Sequence, residues 1–158
     1  MKDLKSLNRV LLKLSGEALA GEKKTGFDEA TVLKVAEQVK KIVDDGMQVA
    51  IVIGGGNFWR GRTSENMERT KADQIGMLAT VMNCIYVSDM FRHVGMKTKI
   101  YTPFTCGAFT ELFSKDDAVK NLEEGVVTFF AEEQDIHISL QIQQQLFVRL
   151  KSRQMPFF

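Results

Sequence analysis

Two glycine-containing turns, each directly after an aliphatic run, are the parts of this chain best suited to hold phosphate. The first run, Arg9–Leu14, leads into Ser15 and Gly16. The second run, Gln48–Ile53, leads into three successive glycines, Gly54–Gly56. Because glycine has no Cβ, backbone N–H groups in such turns can approach an anion closely. The pattern therefore predicts two phosphate-binding loops.

Two basic residues place positive charge beside these loops. Lys13 precedes the first turn, and Arg60 follows the triple glycine closely, which favours a phosphate role over that of a solvated surface charge. Two loops meeting at one edge of a sheet would suit phosphoryl transfer, where catalysis depends mostly on positioning and charge neutralisation. The triple glycine is the stronger signal, since Ser15-Gly16 could equally be a plain connection between a strand and a helix.

The elements that must position the loops alternate between strands and helices. The expected strands are Arg9–Leu14, Gln48–Ile53, Thr98–Tyr101 and Val126–Phe130. The expected helices are one capped by Asp28 and stopped at Gly46, one from about Lys71 to His93, and one near Lys115–Glu123. Aliphatic runs are typical of parallel strands covered on both faces. The order predicts an open, mostly parallel α/β fold whose ligands bind beyond the carboxyl ends of the strands.

The helix from Lys71 to His93 is apolar nearly all round, and two readings of it stay open. It is either a core helix packed on both sides, or a helix with one side against another subunit. Asp73 is expected in its first turn, where a carboxylate would stabilise the helix dipole or accept hydrogen bonds from a sugar hydroxyl near Gly55.

Composition favours an ordinary single domain. The 158 residues include 21 basic and 20 acidic side chains, for a net charge of +1, without a basic block. Binding to nucleic acid or to an anionic membrane is therefore not expected. Cys84 and Cys106 form no Cys-x-x-Cys pattern, and neither a metal-ligand set nor a Ser-His-Asp set is visible. The N-terminus has no signal-like apolar run, so the cytoplasm is the expected compartment.

Three segments, Leu12–Leu19, Ile53–Gly61 and Ala72–Asn83, resemble the bacterial uridylate (UMP) kinases. The resemblance runs from about Asn8 to Ala131, and the third segment separates these enzymes from acetylglutamate and aspartate kinases. It implies the amino-acid-kinase fold, a three-layer αβα sandwich. It also implies the reaction of ATP with UMP to give ADP and UDP, with Mg²⁺, in pyrimidine nucleotide biosynthesis. The implied assembly is a homohexamer of dimers, with the apolar helix at the dimer interface.

The same resemblance assigns roles to individual residues. It places Lys13, Leu14, Ser15 and Gly16 on the ATP phosphates, Gly56 and Arg60 beside the transferred phosphoryl group, and Gly55 and Asp73 on UMP. Lys13 and Arg60 are the implied catalytic residues, and no residue is assigned to a metal. Pro103–Asp117 is less basic than the family pattern, so the resemblance leaves regulation by GTP or UTP open.

The chain departs from the family after Ala131. With permitted codons, and read one base out of frame from Glu132, the tail gives Gly-Gly-Thr-Gly-His-Pro-Tyr-Phe-Ser-Thr-Asp-Thr, which resembles the family's UMP-binding turn. We therefore interpret residues 1–131 as the N-terminal part of the fold and 132–158 as an out-of-frame tail. The alternative is a glutamine-rich extension that evolved as such.

Three functions follow from this reading. The first is phosphoryl transfer from ATP to UMP, with the 158-residue chain itself inert and marginally folded. The second is a non-catalytic fragment that only associates with full-length subunits. The third, a small-carboxylate kinase, is disfavoured by the segment from Asp73 to Asn83. The tail is expected to be irregular, or a stray helix or strand without a buried face.

Overall fold

A computed structural model describes residues 9–59, 66–131 and 148–150 of the chain. The strands are β1 (Arg9–Leu14), β2 (Gln48–Ile53), β3 (Thr98–Thr102), β4 (Glu111–Leu112), β5 (Val127–Ala131) and β6 (Val148–Leu150). The α-helices are α1 (Gly16–Ala20), α2 (Glu29–Asp44), α3 (Arg69–His93) and α4 (Lys115–Glu123), with a short 3-10 helix at Gly21–Lys23. Among the described residues, the strands form one parallel sheet in the order β4-β3-β5-β2-β1-β6.

The central strands are aliphatic because both of their faces are covered. In β1 and β2 four of six residues are buried, and β5 is buried throughout. On one face, α2 and α3 pack against the sheet through residues such as Val39, Val87 and Phe91. On the other face, α4 packs through Ala118 and Leu122. The predicted three-layer α/β architecture is confirmed.

Local signals set the helix ends. Asp28 caps α2, with its carboxylate accepting a hydrogen bond from the Thr31 N–H at 3.1 Å. After α2, Gly46 has a φ of +88°, a conformation that glycine adopts readily. Ser114 caps α4 in the same way as Asp28 caps α2.

The observed bounds correct one prediction about the site. Helix α3 begins at Arg69 rather than near Lys71, so Asp73 lies in its second turn and not its first. The dipole reading of Asp73 loses its basis, because the helix dipole acts mainly within the first turn. Strands β3 and β5 each extend one residue beyond the predicted end.

The sequence patterns did not predict three short elements. Helix α1 and strand β4 are too short to show a period of their own. Strand β6 lies in the predicted out-of-frame tail and pairs in parallel with β1, opposite residues Val10–Leu12. The rest of the tail lies outside the described residues, so the interpretation of residues 132–158 stays a prediction.

Helix α3 has two different faces. One is buried against the sheet and α2, and includes Val81, Cys84 and Val87. The other leaves three large apolar side chains exposed, namely Leu78, Met82 and Ile85. Within the described parts of the chain, the helix is therefore not packed on both sides. No helix in these parts is both long and apolar enough to cross a membrane.

Candidate phosphate-binding loops

The two predicted loops start side by side because β1 and β2 are neighbours in register. Lys13 pairs with Val52, and Leu14 pairs with Ile53. Directly after these pairs, the Gly54 N–H donates a hydrogen bond of 3.2 Å to the Leu14 carbonyl. Both loops therefore leave the same carboxyl edge of the sheet, where parallel α/β folds bind their ligands.

The residues of the first loop have distinct environments. Lys13 is half-buried near the end of β1, and Leu14 is buried. Ser15 is exposed and caps α1, its hydroxyl accepting a hydrogen bond from the Ala18 N–H at 3.1 Å. A Cβ on Gly16 would lie 2.5 Å from the Gly54 carbonyl oxygen. Gly16 is therefore needed so that the two loops can touch.

The three glycines of the second loop serve different purposes. A Cβ on Gly55 would lie 2.9 Å from the Gly76 carbonyl oxygen of α3, so this glycine permits loop-to-helix packing. A Cβ on Gly56 would make ordinary contact with Glu17, and one on Gly54 would meet open space. None of the three has a positive φ. Neither described neighbours nor backbone conformation thus requires glycine at position 54.

Backbone donors are available in this second loop. The Gly55 carbonyl accepts from the N–H groups of Phe58 and Trp59, both at 3.1 Å, which closes a tight turn. In contrast, no described group accepts a hydrogen bond from the N–H of Gly55 or Gly56. Two consecutive N–H groups without a described acceptor form the kind of concavity that binds an anion.

A buried pair of asparagines holds this loop, and the sequence reasoning missed it. Asn57 and Asn83 are 2% and 0% exposed. The Asn57 amide donates to Asn83 Oδ1 at 3.1 Å, and the Asn83 amide donates to Asn57 Oδ1 at 2.7 Å. The remaining amide protons reach the Gly54 carbonyl (2.7 Å) and the Gly26 carbonyl (2.8 Å). The available signal was two asparagines within otherwise apolar or glycine-rich segments.

Two predicted residues stand apart from this geometry. Asp73 is exposed on α3, one helical turn before Gly76, whose carbonyl abuts Gly55. Its position beside the second loop is compatible with a ligand role. Arg60 lies outside the described residues, so its role stays a prediction.

The surroundings of the loops are built from aromatic packing and one capping carboxylate. Phe27 stacks on Tyr86 of α3 with ring centroids 3.8 Å apart and meets Phe58 edge-on.

Burial raises the pKa of the Tyr86 phenol, so it is neutral at physiological pH. The hydrogen bonds from Thr31 lower the pKa of Asp28. Burial also raises the pKa of the Cys84 thiol, which makes this cysteine a poor nucleophile.

A carboxylate oxygen lies close to the second loop. Glu17 Oε1 lies 3.4 Å from the ideal Cβ position of Gly56. Within residues 9–59 and 66–131, no group of three or more His, Cys, Asp or Glu side chains could hold a metal ion.

Known proteins show the same fold and similar sequences. The sequence profile described as the amino acid kinase family matches residues 8–148. A uridylate kinase of Pediococcus pentosaceus is 46% identical over 125 residues, which are 78% of this chain and 52% of that protein.

Solved structures agree with the sequence comparison. A UMP kinase from Bacillus anthracis matches with a TM-score of 0.74 at 34% identity, over 78% of this chain and 52% of that one. A UMP kinase from Ureaplasma parvum gives 0.72 at 30% identity, over 78% and 55%. An isopentenyl phosphate kinase matches with a TM-score of 0.57 at 15% identity, over 78% of this chain and 54% of that one. At this low identity the match supports the fold alone.

The chain spans about half the length of the curated relative and of the solved structures it matches. The match of the family profile extends over most of the sequence. Together with the parallel sheet and the paired glycine loops, this match shows that the chain belongs to the amino acid kinase family.

Proposed function

We propose that this chain supplies half of the active site of an enzyme that transfers the γ-phosphoryl group of ATP to UMP, giving UDP. The observation that carries the proposal is the pair of glycine loops packed together at the adjacent ends of β1 and β2. Relatives named uridylate kinase and UMP kinase support the choice of substrate. Such a reaction belongs to pyrimidine nucleotide biosynthesis.

The first loop is the proposed site for the ATP phosphates. Lys13 would neutralise phosphate charge, and the backbone at Leu14 and Gly16 and the hydroxyl of Ser15 would position the phosphate chain. Lys13 is suited to this because it lies at the carboxyl end of a buried strand, next to the second loop. A protein catalyses phosphoryl transfer mainly by positioning the phosphates and neutralising their charge.

The second loop is the proposed site for the transferred group and for UMP. The N–H groups of Gly55 and Gly56, which have no acceptor among the described residues, would bind phosphate oxygens, and Arg60 would add positive charge after Gly56 in the sequence. Asp73 would accept hydrogen bonds from the sugar of UMP. Open space at Gly54 supports the approach of a ligand there, since neither a described neighbour nor a positive φ otherwise accounts for glycine.

Mg²⁺ would enter this site with ATP. This cation keeps several waters and is held mainly by phosphate oxygens with one or two carboxylates, so a dedicated protein cage is not required. Glu17 offers such a carboxylate oxygen beside Gly56. When bound, the cation would neutralise charge on the phosphates, while Lys13 and the loop N–H groups hold them in place.

A second candidate function is that of a non-catalytic partner of full-length subunits. The exposed apolar face of α3, formed by Leu78, Met82 and Ile85, favours it. Contiguous exposed apolar side chains on a helix commonly mark a protein interface. We propose the same face as the dimer contact of a homohexamer. The cytoplasm is the proposed compartment, in keeping with the free thiols of Cys84 and Cys106.

Ligand selection by the purified chain tests the substrate assignment. Isothermal titration with UMP, ATP, acetylglutamate and aspartate should give binding of the two nucleotides only. Binding of either carboxylate in preference to UMP would instead indicate a small-carboxylate kinase. Turnover is not expected from the 158-residue chain, because its match covers only 52% of the related uridylate kinase.

A further inference from the structure

The carbonyl of Gly54 is held in one direction by a side chain from a distant part of the sequence. Asn83 of α3 donates to it at 2.7 Å. Asn83 is fully buried and cannot swing away, because Asn57 binds its amide oxygen and accepts from its amide nitrogen. Asn57 in turn is fixed to the Gly26 carbonyl at 2.8 Å. These contacts tie the second loop to α3.

The direction of this carbonyl determines the direction of the next N–H. In a planar trans peptide the C=O of one residue and the N–H of the following residue point to opposite sides. The described chain contains no cis peptide bond. Since the Gly54 carbonyl faces Asn83, the Gly55 N–H faces away from Asn83. That N–H has no acceptor in the described parts of the chain.

Glycine alone would not hold this orientation. Glycine has unusual conformational freedom, so the peptide unit between Gly54 and Gly55 could rotate. Such a rotation would change the direction of the Gly55 N–H. Gly54 is half-buried, and a shielded carbonyl that loses its partner is costly, so the Asn83 amide favours one orientation. The asparagine pair also explains why Asn83 can be fully buried on a helix that faces an apolar core, since its partner Asn57 in the second loop satisfies its amide group.

We infer that Asn83, supported by Asn57, is a positioning residue that orients the Gly55 N–H toward a bound phosphate. This inference rests on the proposed function, because it assigns the phosphate to the second loop. Asn83 does not touch the ligand in this account. It acts through the peptide unit between Gly54 and Gly55.

The test compares Asn83→Ala with a matched control on the same helix, Ser88→Ala. Ser88 is 2% exposed, and its hydroxyl lies 2.7 Å from the Thr98 hydroxyl, in a contact remote from the loop. Both variants remove a buried polar contact of α3. Amide resonances of the 158-residue chain are recorded by ¹⁵N NMR, without ligand and during titration with inorganic triphosphate.

Asn83→Ala should shift the Gly55 and Gly56 amide resonances without ligand and weaken triphosphate binding about tenfold, the equivalent of one well-made hydrogen bond. Ser88→Ala should leave both resonances in place and change affinity less than about twofold. Equal effects of the two variants, measured at the same folded fraction, would overturn the positioning role.

A second variant guards against simple loss of folding. In Asn83→Asp, the new carboxylate would face two acceptor oxygens, the Gly54 carbonyl and the Asn57 amide oxygen. Because these oxygens disfavour a negative charge, the pKa of the carboxyl group should rise. Its protonated form can then donate a hydrogen bond to the Gly54 carbonyl. The Gly55 resonance should therefore move toward the wild-type position as pH falls from 8 to 5, while that of Ser88→Ala does not move. A pH-independent resonance in Asn83→Asp would count against the inference.

The two proposals fail separately. If the unchanged chain binds neither triphosphate nor ATP, the proposed function fails for this chain. The resonances of Gly55 and Gly56 without ligand still decide whether Asn83 orients the peptide unit. If those resonances move only in the Asn83 variants, the orientation is supported, and if they do not move it is wrong.

Discussion

The glycines of the two loops differ in the close contacts that they permit. Gly16 lets one loop touch the other, and Gly55 lets the second loop touch α3. Gly54 is crowded by no described atom and has no positive φ, so its glycine is explained by neither packing nor backbone strain. These three positions therefore respond differently to one added methyl group.

Gly16→Ala should lower the melting temperature markedly, whereas Gly54→Ala should leave it unchanged or raise it slightly. The added Cβ at position 16 would overlap the Gly54 carbonyl oxygen, while the same atom at position 54 meets open space. Replacing glycine without strain stabilises by about 0.4–1 kcal/mol through the unfolded chain. Thermal denaturation followed by circular dichroism measures both. Equal destabilisation by the two variants would contradict the observed packing.

Substitution of Arg60 should mainly affect turnover, and substitution of Asp73 should mainly affect the affinity for UMP. This prediction concerns the protein read in the shifted frame after Ala131, here called the restored protein. Arg60→Ala should lower kcat more than it raises KM for UMP, because contact with the transferring phosphoryl group is strongest in the transition state. Asp73→Asn should mainly weaken UMP binding and spare ATP. Steady-state kinetics with UMP varied separates the two, and unchanged UMP affinity in Asp73→Asn would remove that residue from the pocket.

The sequence indicated which segments form the site, but not how its atoms are held. Gly54–Gly56 were recognisable because a triple glycine after an aliphatic strand is costly to order. The contact between Asn57 and Asn83 was not, since a reciprocal hydrogen bond between distant residues leaves no local pattern. The helix start at Arg69 was also missed: the residues from Arg69 to Lys71 are all polar and carry no apolar periodicity.

At the scale of secondary-structure elements, α3 joins the core to an exposed apolar surface. Its buried face supports the second loop, and its other face leaves Leu78, Met82 and Ile85 exposed. Phe27, Tyr86 and Phe109 line an adjoining groove with Met82 and Ile85. The apolar run along this helix left two readings open, a helix packed on both sides or one with a side against another subunit, and the exposed side chains favour the second.

Met82→Glu should prevent association of the restored protein while preserving its helical content. A carboxylate at a 45%-exposed position costs little in the monomer but is unfavourable in an apolar interface. Gln74→Glu, at another exposed position of α3, is the matched control. Light scattering and far-ultraviolet circular dichroism measure both properties. If Met82→Glu unfolds the protein outright, the helix belongs to the core and the interface proposal loses its support.

Helix α4 is attached to β3 by a polar cluster on the opposite face. Asp117 Oδ2 accepts from the Tyr101 hydroxyl at 2.7 Å and from Lys99 at 3.0 Å. Lys99 also pairs with Glu111 at 3.0 Å. The Tyr101 and Lys99 contacts lower the pKa of Asp117. Burial and the hydrogen bond to Asp117 raise the pKa of Tyr101.

Acid should weaken this attachment in a defined pH window. Because the folded pKa of Asp117 is lowered, its contribution to stability is complete above the unfolded value, about 3.9, and is lost as pH falls through the folded value. Asp117→Asn should therefore reduce the loss of melting temperature between pH 5 and pH 2. Asp116→Asn, the exposed neighbour, is the control. An unchanged acid response in Asp117→Asn, with a normal melt at pH 7, would show that the cluster contributes nothing.

At the scale of the whole molecule, the chain spans about half the length of the relatives it matches. Its sheet, helices and loops align with about half the length of related UMP kinases. The alternating strand and helix pattern was enough to predict the layers and strand direction, since parallel strands need helical crossovers. Strand β6 was not predicted, because its three residues are too few to show a periodicity of their own.

The measurement that tests the central claim most directly is a coupled assay of UDP formation from ATP and UMP. The gene is first sequenced across the Ala131 codon, and the restored protein is then compared with the 158-residue chain. We expect one missing base at that point, UMP-dependent ADP release from the restored protein, and none from the 158-residue chain. An unbroken reading frame with unrelated codons, or a restored protein that phosphorylates acetylglutamate or aspartate but not UMP, would contradict the account.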